Sequence, residues 1–181
     1  MRTPAVDTRP PSAGIRSLFT FPNPVNEKAA RAVAGGVFGW TIVTLLFATT
    51  LGAGWLWLSA PLAYGFLARA LAGPRFSPLG LLATRVVAPR LGPATFVAGP
   101  PKRFAQSVGA VFTVTTVIPL ATGLHLPAAI LLGLIVLFSG LESIAGFCVG
   151  CVVFNALIRI GLVPATVCQE CANISLRRSP A

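Results

Sequence analysis

The sequence is poor in charged residues, and above all in acids. Only four of its 181 residues are Asp or Glu, against 14 Lys or Arg, and charged residues of all kinds make up 10% of the chain. Hydrophobic residues make up 55%, and the mean hydropathy is +0.82. A small soluble domain needs a more polar composition, so we expect apolar runs of about twenty residues to be membrane spans.

Acids and histidine are also too scarce for the common catalytic sets. The one histidine, His125, lies in a short turn, where a surface position is the ordinary role. There is no Ser/His/Asp arrangement, no pair of carboxylates and no glycine-rich phosphate loop. Glu142 is the only acid in the membrane-like part of the chain. An acid there is a candidate functional residue, for example in a transporter, although an interfacial position explains it equally well.

The net charge of +10 does not indicate nucleic-acid binding. No basic helix with interleaved aromatic residues is present, and the basic residues flank apolar segments instead. They are typical of orientation signals and of contacts with anionic lipid headgroups. Residues 1–28 are basic and proline-rich and lack the apolar core of a signal peptide, so we expect a disordered segment that is not cleaved. At its end, Asn26 is a candidate cap for a helix that starts near Glu27.

The apolar segments predict an all-α fold. They cover about residues 30–50, 55–71, 104–122 and 126–163. The last is too long for one straight span, because about 35 helical residues reach about 50 Å and the hydrocarbon core is about 30 Å thick. We expect it to break near Gly140 or Gly146, or to continue as a helix beyond the membrane.

The distribution of basic residues predicts the topology. Residues 50–54 and 123–127 contain no Lys or Arg, whereas the amino terminus, residues 69–103 and the region after 158 contain most of them. About four transmembrane helices place all the basic segments on one side, which the positive-inside rule makes cytoplasmic. We therefore predict a multi-pass helical bundle in the cell membrane with both termini in the cytoplasm.

Three regions follow from this topology. Residues 29–163 form the membrane domain, in which residues 72–103 form a basic loop at the membrane interface. Residues 1–28 precede the domain, and residues 164–181 form a cytoplasmic tail that carries two of the four cysteines.

The four cysteines form two Cys-x-x-Cys pairs. Cys148 and Cys151 lie within the last apolar segment, and Cys168 and Cys171 follow after sixteen intervening residues. This spacing matches zinc sites with four thiolate ligands, and it equally fits thiol redox pairs. Small residues at a helix interface are the plain alternative for the first pair. A reducing cytoplasm disfavours a static structural disulfide.

The chemistry of the first pair depends on Gly146. If the chain breaks there, Cys148 opens a helix whose dipole stabilises a thiolate. If the helix continues, Cys148 and Cys151 lie on one stripe with Asn155. Glu142 would then lie roughly 120–180° around the helix, too far to serve the cysteines unless the helix bends.

Four segments resemble the DUF4395 family of membrane proteins, which are frequent in actinobacteria. They are residues 73–80 (GPRFSPLG), 83–90 (ATRVVAPR), 102–106 (KRFAQ) and 146–151 (GFCVGC). The resemblance implies a four-helix membrane protein. Family members are often associated with thioredoxin-like and sulfurtransferase proteins, which implies thiol or sulfur chemistry at Cys148 and Cys151 and a partner of that kind.

Two hypotheses follow, and they leave open whether the protein is an enzyme. The first is a membrane component of thiol–disulfide exchange or sulfur transfer, in which Cys148 and Cys151 react and the second pair exchanges with them or with a soluble partner. The second is a non-enzymatic scaffold in which zinc, the one cofactor considered, is held by all four cysteines, Cys148, Cys151, Cys168 and Cys171.

Overall fold

A computed structural model of the protein describes residues 21–168, and this part of the chain is almost entirely helical. Its α-helices are α1 (Glu27–Thr50), α2 (Ala60–Ala72), α3 (Pro78–Leu82), α4 (Ala88–Arg90), α5 (Gly99–Ala121), α6 (His125–Ala145) and α7 (Val149–Arg159). Tighter 3₁₀ turns cover Ala53–Ser59, Gly73–Phe76 and Ala165–Val167, and Ala83–Val87 forms a π-turn between α3 and α4. The all-α prediction is confirmed.

Three of these helices are long and apolar enough to cross a membrane: α1, α5 and α6. Large apolar side chains lie exposed on their outer faces, among them Val111 at 64%, Ile118 at 66% and Ile130 at 57%. A water-soluble surface rarely exposes so much contiguous apolar area, because its hydration is unfavourable. The chain is therefore a membrane protein.

The bundle interior combines small apolar side chains with hydroxyl groups that have partners. Val37, Ala128 and Leu132 are almost completely buried. Four threonines are fully buried as well, and each hydroxyl donates to the backbone carbonyl four residues earlier at 2.7–2.9 Å: Thr41, Thr44, Thr113 and Thr116. Because these bonds stay within one helix, the hydroxyl groups are satisfied without any need for a polar neighbour.

The second apolar segment is helical in two parts. The 3₁₀ turn Ala53–Ser59 leads directly into α2, and Pro61 lies in the first turn of α2, where its missing N–H would have no helical acceptor anyway. At about 2.0 Å per residue in the turn and about 1.5 Å in the helix, the whole segment rises about 33 Å. Its length is thus comparable with that of a membrane span.

Two predicted boundaries need correction. Val25–Asn26 forms a two-residue strand, β1, which pairs antiparallel with β2 (Phe96–Val97), and Asn26 caps α1 by accepting from the Lys28 N–H at 3.0 Å. The helix start predicted near Glu27 is confirmed, the boundary predicted at residue 28 moves to residue 25, and residues 1–20 lie outside the described part. The interfacial loop predicted to reach residue 103 ends earlier, because α5 begins at Gly99.

The long apolar region breaks at Gly146, which is one of the two positions at which the sequence predicts a break. Gly146 adopts left-handed backbone angles (φ +68°, ψ 13°) that side-chain-bearing residues rarely adopt, and it ends α6. Arg31 of α1 donates to the Ser143 and Ile144 carbonyls at 3.1 Å each and so satisfies the end of that helix. Gly140 remains inside α6, close to Phe38. With 11 residues, α7 is too short to be a further span.

Candidate functional site: a cysteine pair beside a buried cavity

The first cysteine pair lies at the amino terminus of α7. Cys148 is the residue before the first helical turn, and its Sγ accepts a hydrogen bond from the Cys151 N–H at 3.3 Å. The two cysteines form a disulfide with their Cα atoms 5.2 Å apart. The structure therefore answers the question that the sequence left open: the chain breaks, and Cys148 opens a helix.

Close packing against α5 holds α7 in place. Gly150 lies so near α5 that a Cβ built on it would come within 2.7 Å of the Ala105 Cβ and 2.8 Å of its Cα. One turn later, the buried Phe154 contacts Phe104, with ring centroids 5.5 Å apart. The small residue allows the two helices to approach, and the aromatic pair keeps the cysteines in position.

The two sulfur-bearing residues have different surroundings. Cys148 is only 8% exposed and lines a partly open cavity between the helices. Cys151, one turn into the helix, is half-buried and is not among the residues that line the cavity. The disulfide thus connects the interior of the bundle with a more accessible face of α7.

The cavity has a volume of about 290 Å³ and lies between α1, α2, α5, α6 and α7. Most of its lining is apolar, and it includes four phenylalanines: Phe66, Phe104, Phe112 and Phe138. The polar side chains in the lining are Gln106, Ser139 and Glu142. A mostly apolar cavity with a few polar groups is the usual form of a site for a small molecule.

Glu142 forms an ion pair across the helices. Its Oε1 lies 2.6 Å from the Lys102 Nζ, and the two side chains are only 13% and 11% exposed. The chain reverses at Gly146, so Glu142 and Cys148 line the same cavity. On a straight helix Glu142 would lie too far around from the cysteines to act with them. Because the chain bends at Gly146, the two are near the same cavity.

Arg69 is the charged residue whose role the sequence analysis missed. It is 5% exposed, its Nε donates to the Gln106 Oε1 at 2.7 Å, and one terminal nitrogen donates to the Ser77 Oγ at 2.8 Å. Its guanidinium carbon lies 4.7 Å from the centre of the Phe66 ring, and its charge attracts that of Glu142. Its other terminal nitrogen is buried without a hydrogen-bond partner in the described part of the chain.

The polar side chains near the cavity (Arg69, Ser77, Lys102, Gln106 and Glu142) form a polar cluster, and part of it lies in segments that the sequence already singles out. Ser77 belongs to the segment 73–80, Lys102 and Gln106 begin and end the segment 102–106, and the cysteine pair belongs to 146–151. Three of the four segments that carry the family resemblance therefore meet at this end of the bundle. Arg69 lies outside all of them, so only its position in the fold reveals its role.

Only one cysteine of the second pair, Cys168, lies within the described part of the chain. Cys168 is buried and disulfide-bonded, and Cys171 lies outside the described residues. Within residues 21–168, no group of three or more His, Cys, Asp or Glu side chains is arranged to hold a metal ion. The described residues therefore do not bring Cys168 into a common ligand set with Cys148 and Cys151, and the four-thiolate hypothesis rests on a residue outside them.

The remaining single-residue prediction concerns His125. It is exposed at the start of α6, at the opposite end of the bundle from the cysteines. The surface position predicted for it is confirmed.

One comparison with known proteins gives a match. The family described as "Domain of unknown function (DUF4395)" matches residues 25–159. This range contains every helix from α1 to α7 and the first cysteine pair, and it ends before Cys168. No curated protein and no solved structure matches the chain.

Proposed function

The chain belongs to the DUF4395 family, whose description assigns no function, and we propose from its site that it is a membrane component of thiol–disulfide exchange. Cys148 and Cys151 are the working pair. The observation that carries the proposal is their placement: a bonded Cys-x-x-Cys pair opens a helix, with one residue lining a mostly apolar cavity and the other closer to the surface.

The exposure of the two cysteines suggests the order of attack. A thiolate of a soluble partner reaches Cys151 more easily, so it attacks the Cys151 Sγ and breaks the S–S bond. Cys148 leaves as a thiolate, and the Cys151 N–H that already donates to its sulfur stabilises the charge. The partner's second thiolate then attacks the mixed disulfide. The partner becomes oxidised, and Cys148 and Cys151 hold the two electrons as thiols after taking up two protons.

The partner in this proposal is a soluble protein with a reactive dithiol, of the thioredoxin-like kind. Exchange fits the site better than sulfur transfer, because both sulfurs are bonded to each other. We also propose that the segment 53–72 is the fourth membrane crossing, that the protein lies in the cell membrane, and that both termini and the cysteines are cytoplasmic, beside anionic lipid headgroups.

A redox titration in detergent tests the proposal. Cys168→Ser and Cys171→Ser together leave only the first pair, and alkylation with a large maleimide then separates dithiol from disulfide on a gel. We expect one two-electron transition in dithiothreitol buffers, and we expect reduced thioredoxin to convert the disulfide to the dithiol. Either Cys148→Ser or Cys151→Ser should abolish the transition.

A second comparison tests the order of attack. In the same background, Cys148→Ser leaves the more exposed thiol and Cys151→Ser leaves the buried one. Each variant is mixed with a thioredoxin that lacks its resolving cysteine and whose remaining cysteine is bonded to thionitrobenzoate as a disulfide, so that the variant's thiolate attacks the thioredoxin sulfur and thionitrobenzoate leaves. We expect the first variant to form this mixed disulfide at least about tenfold faster, because access limits exchange. Stoichiometric zinc in the wild-type protein, with all four thiols masked until a chelator removes it, would contradict the redox proposal and support the scaffold.

A further inference from the structure

We propose that the cavity beside Cys148 binds the ring of a quinone, and that this lipid-soluble oxidant accepts the electrons that the cysteine pair collects. The inference rests on the proposed thiol–disulfide function and names its second substrate. It starts from a chemical requirement: once Cys151 and Cys148 have oxidised a soluble dithiol, they hold two electrons and must lose them before they react again.

The surroundings of Cys148 restrict the class of acceptor. Its 8% exposure leaves little room for a second protein at this sulfur, whereas the cavity touches it directly. The lining is mostly apolar, so a charged soluble oxidant would lose its hydration without compensation. A neutral, planar molecule that dissolves in the bilayer meets no such cost, and quinones are two-electron acceptors of this kind.

The shape and chemistry of the cavity suit a substituted benzoquinone ring. Its volume of about 290 Å³ lies just below the range for small-molecule sites, which is about 300–1,000 Å³, so it suits a single ring rather than a larger ligand. Phe66, Phe104, Phe112 and Phe138 supply aromatic faces and edges for a flat ring. Helices α1, α5 and α6 form the walls, so a hydrophobic tail would extend along membrane-spanning segments.

Gln106 supplies a directed hydrogen-bond donor. Its amide oxygen accepts from the Arg69 Nε at 2.7 Å, which fixes the orientation of the amide group. Its NH₂ group has no hydrogen-bond partner within residues 21–168 and belongs to a side chain that lines the cavity. A quinone carbonyl oxygen is an acceptor that this NH₂ group would bind. Ser139 is not available in the same way, because its hydroxyl already donates to the Ile135 carbonyl at 2.6 Å.

The proposed step balances. The thiols of Cys148 and Cys151 lose two protons and two electrons, and the S–S bond between them forms again. The quinone gains both electrons, and each of its two oxygens takes up one proton, so that a hydroquinone leaves the cavity. No further oxidant is required.

The test uses the full chain with Cys168→Ser and Cys171→Ser, placed in quinone-free lipid nanodiscs and reduced with a phosphine that is then removed. Under argon, a fully substituted short-tail benzoquinone is added, and disulfide formation and quinone absorbance are followed together. We expect one quinone to be consumed per disulfide, with a rate that saturates as the quinone concentration rises. A rate that stays linear would mean a reaction in solution and would overturn the proposal.

A matched pair of substitutions on α7 locates the reaction. Val153 lines the cavity and is 44% exposed, whereas its neighbour Val152 is 49% exposed and does not line it. Val153→Phe should lower the rate of quinone-driven oxidation at least about tenfold by filling the cavity, and Val152→Phe should leave it unchanged. Equal rates in the two variants would overturn the quinone site.

The experiments distinguish a failure of the exchange proposal from a failure of the quinone proposal. Reduction of the disulfide by thioredoxin does not involve the cavity, so it should proceed at the wild-type rate in both phenylalanine variants. If thioredoxin reduces the protein and quinone does not reoxidise it, the quinone inference is wrong and the exchange function stands. If quinone reoxidises phosphine-reduced protein and thioredoxin does not reduce it, the soluble partner is wrong instead.

Discussion

The two ends of the helical bundle are built from the same apolar helices and differ in almost everything else. At the basic end lie Lys28, Arg31, Arg69 and Lys102, together with the first cysteine pair and its cavity. At the opposite end, residues 50–54 and 122–124 contain no Lys or Arg. An open hollow of about 400 Å³ lies there, and it is lined by Leu51, Gly52, Gly54, Trp55, Trp57 and Leu58.

The two ends differ in the side chains that line these spaces. The open hollow is lined by no titratable side chain, and Trp55 and Trp57 in it are 42% and 48% exposed, as expected of anchors at a membrane surface. The cavity at the basic end lies beside the cysteine pair and two buried cations. Placing charge in a poorly polar interior is unfavourable without partners, so the ion pair and the hydrogen bonds of Arg69 mark this end as the candidate functional site.

The largest expected difference between the ends is the side of the membrane that each one faces. In a cysteine-free variant, Leu91→Cys reports on the basic end and Leu124→Cys on the opposite end, and the two leucines are 54% and 57% exposed. In intact cells, an impermeant maleimide should label the second and not the first. Labelling of both positions, or of Leu91→Cys alone, would contradict the proposed orientation.

The next largest effect concerns the ion pair. Lys102→Met leaves Glu142 buried with only the attraction of Arg69. We expect the free energy of unfolding to fall by about 3 kcal/mol, measured by denaturant titration in mixed micelles, because a buried charge that loses its partner is strongly destabilising. The double variant Lys102→Met, Glu142→Met should lose less than the single one.

A control for this prediction lies at the same end. Lys28 donates to the Leu91 carbonyl at 2.7 Å in an exposed position. Lys28→Met should therefore cost no more than about 1.5 kcal/mol, since water replaces an exposed hydrogen bond. A loss at Lys28 as large as that at Lys102 would mean that burial does not distinguish the two lysines.

The smallest effect compares two helical glycines. Gly150→Ala brings a methyl group against the Ala105 Cβ and Cα, at the contact that holds the cysteine pair. We expect a loss of about 1–3 kcal/mol in the same unfolding assay, because the backbone has to move. Gly133→Ala in α6 meets no atom within 4 Å and should gain up to about 1 kcal/mol from helix propensity. Stabilisation by both substitutions would show that α7 packs loosely on α5.

Local patterns were sufficient for several features of the fold. Asn26 precedes an acid and an apolar run, which predicts a helix cap, and Asn26 caps α1. An apolar region longer than a bilayer has to break or to continue beyond the membrane, and its glycines predicted a break near Gly140 or Gly146, of which Gly146 adopts the left-handed angles. These features depend on neighbours within a few residues, so the sequence order contains the information.

The polar cluster could not be predicted in this way. Arg69 and Gln106 are 37 residues apart, and Lys102 and Glu142 are 40 residues apart. In the sequence, Arg69 and Lys102 are two of many basic residues near apolar segments, and they resemble orientation signals. Only the packing of α2, α5 and α6 against one another determines that these two are buried and paired.

By itself, the sequence determined that this protein is an all-helical membrane protein whose last apolar region is too long for one span and contains a cysteine pair. The apolar composition indicates that the helices lie in a membrane. The lengths of the hydrophobic runs and the positions of the glycines indicate where the helices can end. The tertiary structure alone decided that Cys148 and Glu142 line one cavity, that Cys151 is the more accessible cysteine, and that Gln106 is oriented by Arg69. The physical reason is that burial and hydrogen bonding between helices depend on distances in space, which the order of residues does not record.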